Sequence, residues 1–453
     1  MNTDDTIAAI CTGLGGAVSI IRISGPEALE IASKTWTSRQ KLSKANARTM
    51  LLGKIRTGND RVGDPALAVF MPGPNSYTGD NVVELQCHGG ALSARATLNA
   101  VIANGARMAE PGEFTYRAFM NGKMDLTQAE AVADLISAHS EMALHMAERQ
   151  VDGALKNIVN SCYTELTDLL AECESRMDFA EEDLGWSEPK VYEETINRVV
   201  REIEQLIASG REGGILRNGI RVVLAGRPNA GKSSLLNLLL GYDRAIVTNL
   251  PGTTRDLLEE TANLRNIPVK LTDTAGIRAA TDLIEGLGID RSKQSLKQAQ
   301  VVFWVLDVTA DNLQEEVSEM LAHTGSCKVI AIWNKIDAVE LAALSLPAVE
   351  FSTVKISVEQ QLGIDELLDQ FETAVWDYPH DEEPEVAVSS RHAALLAEAF
   401  AILPEAIDTI ATCDWELAAV HLRAAIAALG MITGENITPD VLDNIFSRFC
   451  IGK

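Results

Sequence analysis

Apolar positions fall into three textures along the chain, and each change of hydrophobic period marks a boundary. Residues 1 to about 119 carry short β-branched runs at Ala17 to Ile23, Leu67 to Phe70 and Asn81 to Leu85. Gly and Pro turns such as Met71-Pro72-Gly73-Pro74-Asn75 separate them, which predicts an α+β domain. From Asp125 the period becomes helical, with Asp125 and Gln128 spaced as a capping box. Leu155, Ile158, Val159, Cys162, Leu166, Leu169 and Cys173 then recur at helical spacing, on one stripe of a long helix that needs a helical partner.

Residues 216–380 alternate β-rich runs (Ile220 to Ala225, Val269 to Thr272, Val301 to Leu306, Val329 to Trp333) with helical segments. This pattern predicts an α/β domain with a parallel sheet and crossover helices. After an acidic bridge at Pro379 to Pro384, helical spacing resumes through Leu395, Leu396, Phe400, Leu403 and Ile407, and again through Leu417 to Leu429. The simplest architecture is one discontinuous helical domain, residues 120–215 and 381–453, interrupted by the α/β domain. The later helices then cover the earlier stripe.

Composition narrows the function. Lys plus Arg number 39 against 64 Asp plus Glu, a net charge of −25, which disfavours a broad nucleic-acid-binding surface. Any RNA contact is expected to be local or supplied by a basic partner. An apolar content of 46% rules out disorder as the dominant state. The seven cysteines are scattered without a Cys-x-x-Cys pair, so a reducing, cytoplasmic setting is expected rather than a disulfide framework or zinc site. No Lys or Arg precedes Arg22, and apolar runs such as Val301 to Leu306 are far too short to span a bilayer; neither a leader nor membrane association is expected.

Gly226-Arg227-Pro228-Asn229-Ala230-Gly231-Lys232-Ser233 fits G-x-x-x-x-G-K-[ST] between a strand and a helical run. Glycines let backbone amides curl around phosphate oxygens, Lys232 adds charge at the β and γ positions, and Ser233 offers a hydroxyl to Mg²⁺. Asp273-Thr274-Ala275-Gly276 closes a later strand, where a carboxylate can hold magnesium through water and the Gly276 amide can sense a γ-phosphate. In Asn334-Lys335-Ile336-Asp337, Asp337 can accept from the ring N–H and exocyclic amine of guanine, so GTP is expected over ATP. Thr253 and Thr254 lie where a switch segment must, and Thr254 can cap the magnesium. Ile277 occupies the place of the water-orienting glutamine of small GTPases and cannot polarise water; Glu285 is the candidate helper.

The phosphate loop, Pro251-Gly252-Thr253-Thr254-Arg255-Asp256, Asp273-Thr274-Ala275-Gly276 and the closing Phe449-Cys450-Ile451-Gly452-Lys453 together resemble the MnmE (TrmE) family of bacterial tRNA-modification GTPases. Further family-like signatures are Arg22-Ile23-Ser24-Gly25, Glu84 through Gly90, and Pro111 through Lys123. The resemblance covers essentially the whole chain. It implies an N-terminal folate-binding domain that forms homodimers, a helical domain bearing the terminal Cys motif, and an inserted Ras-like P-loop GTPase domain.

The implied nucleotide site comprises Asn229, Ala230, Gly231, Lys232, Ser233, Ser234, Thr248, Thr253, Thr254, Asp273, Thr274, Ala275, Gly276, Asn334, Lys335, Asp337, Ser357 and Val358. Potassium, expected to stimulate hydrolysis, is implied at Asn229 with Thr248, Leu250 and Thr253, and the family's catalytic glutamate falls on Glu285. Arg22, Glu84, Lys123 and Lys453 are implied to hold a 5-formyl- or 5,10-methylene-tetrahydrofolate. The expected reaction, with an FAD-dependent partner of the MnmG type in a heterotetramer or larger complex, adds an aminomethyl-type group to the wobble uridine of certain tRNAs.

Cys450 falls near that chemistry by resemblance; a packed, unreactive thiol is the plain alternative. Two positions depart from the family: Thr12-Gly13-Leu14-Gly15-Gly16 lacks its prolines, and Ser357-Val358 stands for Ser-Ala. A GTPase acting only as a binding switch, in ribosome assembly or signalling, is the competing reading.

Overall fold

The computed structural model describes all residues except 1–3, 58–60, 139, 180–184, 243–259, 274–298, 324–326, 340–345, 377–385 and 453. It divides into two compact units, one of residues 1–133, 150–204 and 394–453, the other of 134–149 and 205–393.

The first unit opens with β1 (Ile7–Ile10), β2 (Val18–Ser24), α1 (Ala28–Thr35), β3 (Trp36–Thr37), β4 (Leu51–Thr57), β5 (Arg61–Met71), β6 (Val82–His88), α2 (Ala91–Ala103), β7 (Arg107–Met108) and α3 (Glu113–Met120). Its seven-stranded sheet has the order β3-β4-β5-β6-β2-β1-β7. All pairings are antiparallel except β1 with β7. Alternation along the strands decides the faces. Ile21, Ile23, Phe70, Val83 and Leu85 point to one side, where Ile31 of α1 and Leu98 and Val101 of α2 close the core. The alternate positions Arg22, Glu84 and Gln86 are half-exposed on the other side.

The helical part begins with α4 (Leu126–Ser137) and α5 (Glu141–Val151), each crossing the boundary between units, then α6 (Ala154–Asp178) and α7 (Pro189–Asn218). The capping box forms reciprocally: Gln128 N donates to Asp125 Oδ1 at 2.9 Å, and Asp125 N to Gln128 Oε1 at 3.1 Å. On α6, Leu155, Val159, Cys162, Leu166, Leu169 and Cys173 are buried, with Ile158 at the stripe's margin. Their partner is α12 (Trp415–Thr433), which follows α11 (Ser390–Ala411) and precedes α13 (Pro439–Phe446). The Arg176 guanidinium lies over the rings of Trp415, Tyr192 and Trp186 at 4.2, 5.2 and 5.4 Å, joining α6, α7 and α12. By length and composition α12 is apolar enough to cross a membrane, unlike the shorter runs singled out above, but its apolar face is used against α6.

The second unit contains β8 (Ile220–Ala225), α8 (Lys232–Tyr242), β9 (Glu260–Leu264), β10 (Ile267–Asp273), β11 (Val301–Asp307), α9 (Leu313–His323), β12 (Lys328–Asn334), β13 (Ser352–Lys355) and α10 (Ile364–Trp376). The sheet order is β13-β12-β11-β8-β10-β9. Five strands run parallel, and β9 pairs antiparallel with β10. The edge strand departs from the all-parallel expectation. It is made by a two-residue turn at Arg265-Asn266, both with positive φ (53° and 62°), the twist a tight hairpin needs. Strands β11 and β12 are buried on both faces, so they read as continuous apolar runs. Phe303, Val305, Ile330 and Ile332 pack to one side and Val302, Trp304, Ala331 and Trp333 to the other.

Candidate functional site

The phosphate loop leaves β8 at its carboxyl end, where ligands of open α/β sheets collect. Gly226 has φ +132°, and a Cβ there would lie 2.2 Å from the Val305 carbonyl of β11. Asn229 crests the loop with φ 65°, its side chain exposed. The Lys232 ammonium is folded back over the loop, donating to the carbonyls of Gly226 (2.9 Å) and Arg227 (2.7 Å). The same ammonium can exchange those carbonyls for phosphate oxygens without leaving the loop. Ser233 and Ser234 are exposed in the first turn of α8. Asp273 pairs with Leu224 in the β10–β8 register, so its backbone sits beside the strand that leads into the loop.

Asn334, at the end of β12, ties three loops together. Its Nδ2 donates to the Ala230 carbonyl (2.8 Å), its Oδ1 accepts from Val358 N (3.3 Å), and it is 2% exposed. Gly231 is held against it: φ is +102°, and a Cβ would fall 2.2 Å from Asn334 Nδ2. Asn334 thus positions the phosphate loop and the Ser357-Val358 turn by hydrogen bonds within the protein. That turn is closed by Ser357 and Leu362 exchanging backbone bonds at 3.1 and 3.0 Å.

Lys335 adopts φ 67°, ψ 35°, and its ammonium contacts Asp307 Oδ2 at 2.5 Å. The other oxygen, Oδ1, accepts from Thr309 N (2.9 Å) and Thr309 Oγ1 (2.6 Å). Burial alone would raise the Asp307 pKa, but Lys335 and Thr309 outweigh it and hold the carboxyl below its ordinary value. The charged lysine is thereby laid across the end of β11. Asp337 follows on the turn Ile336–Ala338 and is exposed. Sequence reasoning missed Asp307; the signal was an Asp-x-Thr turn closing a fully apolar strand.

In the first unit Arg22 and Glu84 face each other across β2 and β6, with Nε and Nη2 each 2.9 Å from Glu84 Oε1. The guanidinium lies over Tyr77 (5.4 Å) and Phe114 (5.7 Å), and burial raises the pKa of the Tyr77 phenol. Lys123 is exposed on the turn after α3. Behind this pair lies a network that sequence reasoning did not place. Arg107 and Arg117 share Asp5 and Glu113 at 2.7–3.0 Å, and both Arg117 and Glu113 have fully buried side chains. Burial opposes ionisation of Glu113 and, less, of Asp5, but Arg107 with Arg117 outweighs it and holds both carboxyls below their ordinary values.

The C-terminal tail docks beside β1. Gly112 N donates to the Cys450 carbonyl (3.4 Å), and Ile451 bridges Pro111. Gly452, φ +98°, leaves no room for a side chain, because a Cβ would lie 2.8 Å from the Ile10 carbonyl. Arg22 is in register with Ala9 on the same strand, so the tail and Arg22 share one neighbourhood. Cys450 itself is exposed. Thr248, Leu250, Thr253, Thr254, Thr274, Ala275, Gly276, Ile277, Glu285, Lys453 and the Pro379 to Pro384 bridge lie outside the described residues.

A phosphate loop on the first parallel strand, with base-side loops gathered to it by a buried asparagine, defines a P-loop GTPase. The profile described as GTP-binding protein TrmE N-terminus matches residues 6–123, and that of the MnmE helical domain matches 126–450. The chain is 39% identical over 461 residues to the tRNA modification GTPase MnmE of Clostridioides difficile (strain 630), spanning 100% of both. It is 43% identical over 460 residues to that of Symbiobacterium thermophilum, spanning 99% of this chain and 100% of the relative. Against that of Synechococcus sp. (strain JA-3-3Ab) it is 42% identical over 453 residues, spanning 99% and 98%. The chain belongs to the MnmE (TrmE) family and is a GTPase.

Proposed function

We propose that this chain couples GTP hydrolysis to modification of the wobble uridine of certain tRNAs. It acts in the cytoplasm as a homodimer with an FAD-dependent protein of the MnmG type. The complex adds a carboxymethylaminomethyl or aminomethyl group at C5, with a tetrahydrofolate as one-carbon donor. Residues 1–119 form the folate-binding and dimerising domain, 120–215 and 381–453 the helical domain, and 216–380 the GTPase domain. The observation that carries the reading is the coexistence in one chain of the Asn334-centred nucleotide site and the Arg22–Glu84 pair beside the docked tail.

In the nucleotide site, Lys232 exchanges its two carbonyl partners for β and γ oxygens, and Asp337 accepts from the guanine edge. The exposed Ser233 hydroxyl and the Asp273 carboxylate are hard oxygen donors of the kind magnesium takes, with Thr254 as a third. The exposed Asn229 amide fits potassium, with Thr248, Leu250 and Thr253 completing the set. Bound cations would supply positive charge against the phosphates that other GTPases draw from an arginine. Glu285 orients the attacking water.

In the folate site, Glu84 accepts from amino groups on a pterin-like ring, half-buried Tyr77 offers a flat face, and Arg22, Lys123 and Lys453 attract a glutamate tail. Cys450, exposed on the docked tail, is the thiol assigned to the modification chemistry in this reading.

The test is the wobble nucleoside of cells lacking this chain. The C5 substituent is expected to be lost and to return with the wild-type protein; intact wobble nucleosides would favour the switch reading. Turnover in potassium against sodium at equal ionic strength checks the cation assignment separately, since equal rates remove potassium and leave GTP binding untouched.

A further inference from the structure

The negative charge of this chain is unevenly placed. Residues 34–61 carry eight Lys or Arg and a single acidic residue, Asp60, a net +7 that leaves −32 on the remainder. Residues 36–57 of this run form β3, β4 and the loop between them, at one edge of the first unit's sheet, where β3 is outermost and β4 lies next to it. Lys54 and Arg56 alternate with buried Ile55, so both stand on the open face of β4 together with Leu52, which is 69% exposed. Ser38 donates to the Leu52 carbonyl (2.5 Å), which holds Arg39 beside β4, and the Asn46 amide donates to the Lys41 carbonyl (3.1 Å), closing the β3–β4 loop that carries Lys41 and Lys44. Arg48 N donates to the Phe70 carbonyl, extending the line past the start of β4.

All six of these cations are exposed. Their recorded side-chain partners are neutral, Asn75 O for Arg48 and Thr37 Oγ1 for Arg56, and among the described residues none meets a carboxylate within 4 Å. By contrast Lys34, just before the edge, is matched by Glu30. A cluster of like charges is self-repelling, and among the described residues no carboxylate offsets it. A bound polyanion would offset it.

We infer that this β3–β4 edge is where the chain holds the phosphate backbone of tRNA. The inference rests on the tRNA-modification reading, which supplies the polyanion. It also answers the difficulty posed by the overall charge: contact is confined to one edge, and the rest of the surface repels RNA.

The test uses the full-length protein and unmodified tRNA, with dissociation constants measured across a salt series. Arg39→Ala/Lys41→Ala/Lys44→Ala/Lys54→Ala removes four charges from exposed positions outside the nucleotide and folate sites; an unchanged GTPase rate and unfolding midpoint verify its fold. The slope of log affinity against log salt is expected to fall by about 3, from roughly 0.7–0.9 per phosphate contact, with affinity at low salt reduced at least ~10-fold. Lys41→Arg/Lys44→Arg/Lys54→Arg is expected to bind as the wild type. Removing Lys190, Arg198, Arg201 and Arg423 in the same way is expected to leave binding intact.

An unchanged slope and affinity in the edge variant overturn the inference while the tRNA reading stands. Absence of tRNA binding by the wild type overturns both. If the edge variant binds tRNA normally but loses poly-glutamate, the surface serves an acidic protein and the inference is again wrong.

Discussion

Replacing Asn334 with alanine tests whether one buried side chain sets the nucleotide site. The change removes the bond to the Ala230 carbonyl and the bond from Val358 N. Ala230 is 2% exposed, so its carbonyl is left without a partner at a cost of about 1–3 kcal/mol. The Val358 bond is long and only half-buried, so water recovers most of it and its loss costs under about 1 kcal/mol. The sum spans about 1–4 kcal/mol; its centre of about 2.5 kcal/mol corresponds to roughly 70-fold in affinity if all of it falls on the nucleotide-bound arrangement. Because the loops are joined before nucleotide arrives, part appears as lowered stability, and the expected loss of GDP affinity is at least ~10-fold.

Asn334→Asp separates this account from a simple size effect. It keeps the acceptor for Val358 N but sets a carboxylate oxygen against the Ala230 carbonyl, so it is expected to bind more weakly than the alanine variant. Equilibrium titration with a fluorescent GDP analogue, alongside urea unfolding of the nucleotide-free protein, measures both parts. Affinity within threefold of the wild type, or an aspartate variant equal to alanine, refutes the reasoning.

Glu113→Gln uncouples the buried Arg107–Glu113–Arg117 network and is expected to cost about 3 kcal/mol, at the low end for a broken buried pair because Asp5 still faces both guanidiniums. The Asp5 and Glu113 carboxyls titrate below their ordinary 3.8 and 4.5, so their stabilisation is complete above those values and is lost as pH falls below them. The variant should show a shallower acid loss of stability by urea unfolding across that range; parallel curves would contradict the assignment. Thiol labelling at pH 8 should modify exposed Cys413 and Cys450 quickly. Cys173, whose pKa burial pushes up to about 11, and Cys162, pushed up by burial and by Glu202, should react only on unfolding. Fast native labelling of either would show that α6 opens.

How much of this was legible in the sequence depended on the range of the interaction. The phosphate loop and the Asp125–Gln128 capping box are local, and their spacing alone gives their geometry. The α11 stripe was read in part: Leu396 and Leu403 are buried as expected, together with Ala399, Ala406 and Ile410, while Leu395, Phe400 and Ile407 flank them. Alanines were overlooked because they carry little apolar signal, yet close helix packing buries them. The β9–β10 hairpin was missed because Arg265-Asn266 lacks the glycine that usually announces such a turn. The Arg22–Glu84 contact depends on register between strands 62 residues apart, which no local pattern encodes.

The longest-range relation constrains how the chain holds together. The buried stripe of α6 packs chiefly against α12, whose first residue, Trp415, lies beyond the entire α/β sheet, with α7 reaching Cys162 through Glu202 (3.2 Å). Full burial of such a side chain is worth about 1.5–3 kcal/mol, so leaving the stripe uncovered costs on the order of 10 kcal/mol. That is comparable to the whole stability of an ordinary domain. Burial of α6 therefore requires residues on both sides of the sheet-forming segment. Arg176 strengthens the same dependence, since its closest aromatic partner, Trp415, is the first residue of α12. A chain cut between β13 and α12 would keep its phosphate loop while exposing the α6 stripe, so nucleotide binding by such a fragment reports on the α/β sheet and not on the helical layer.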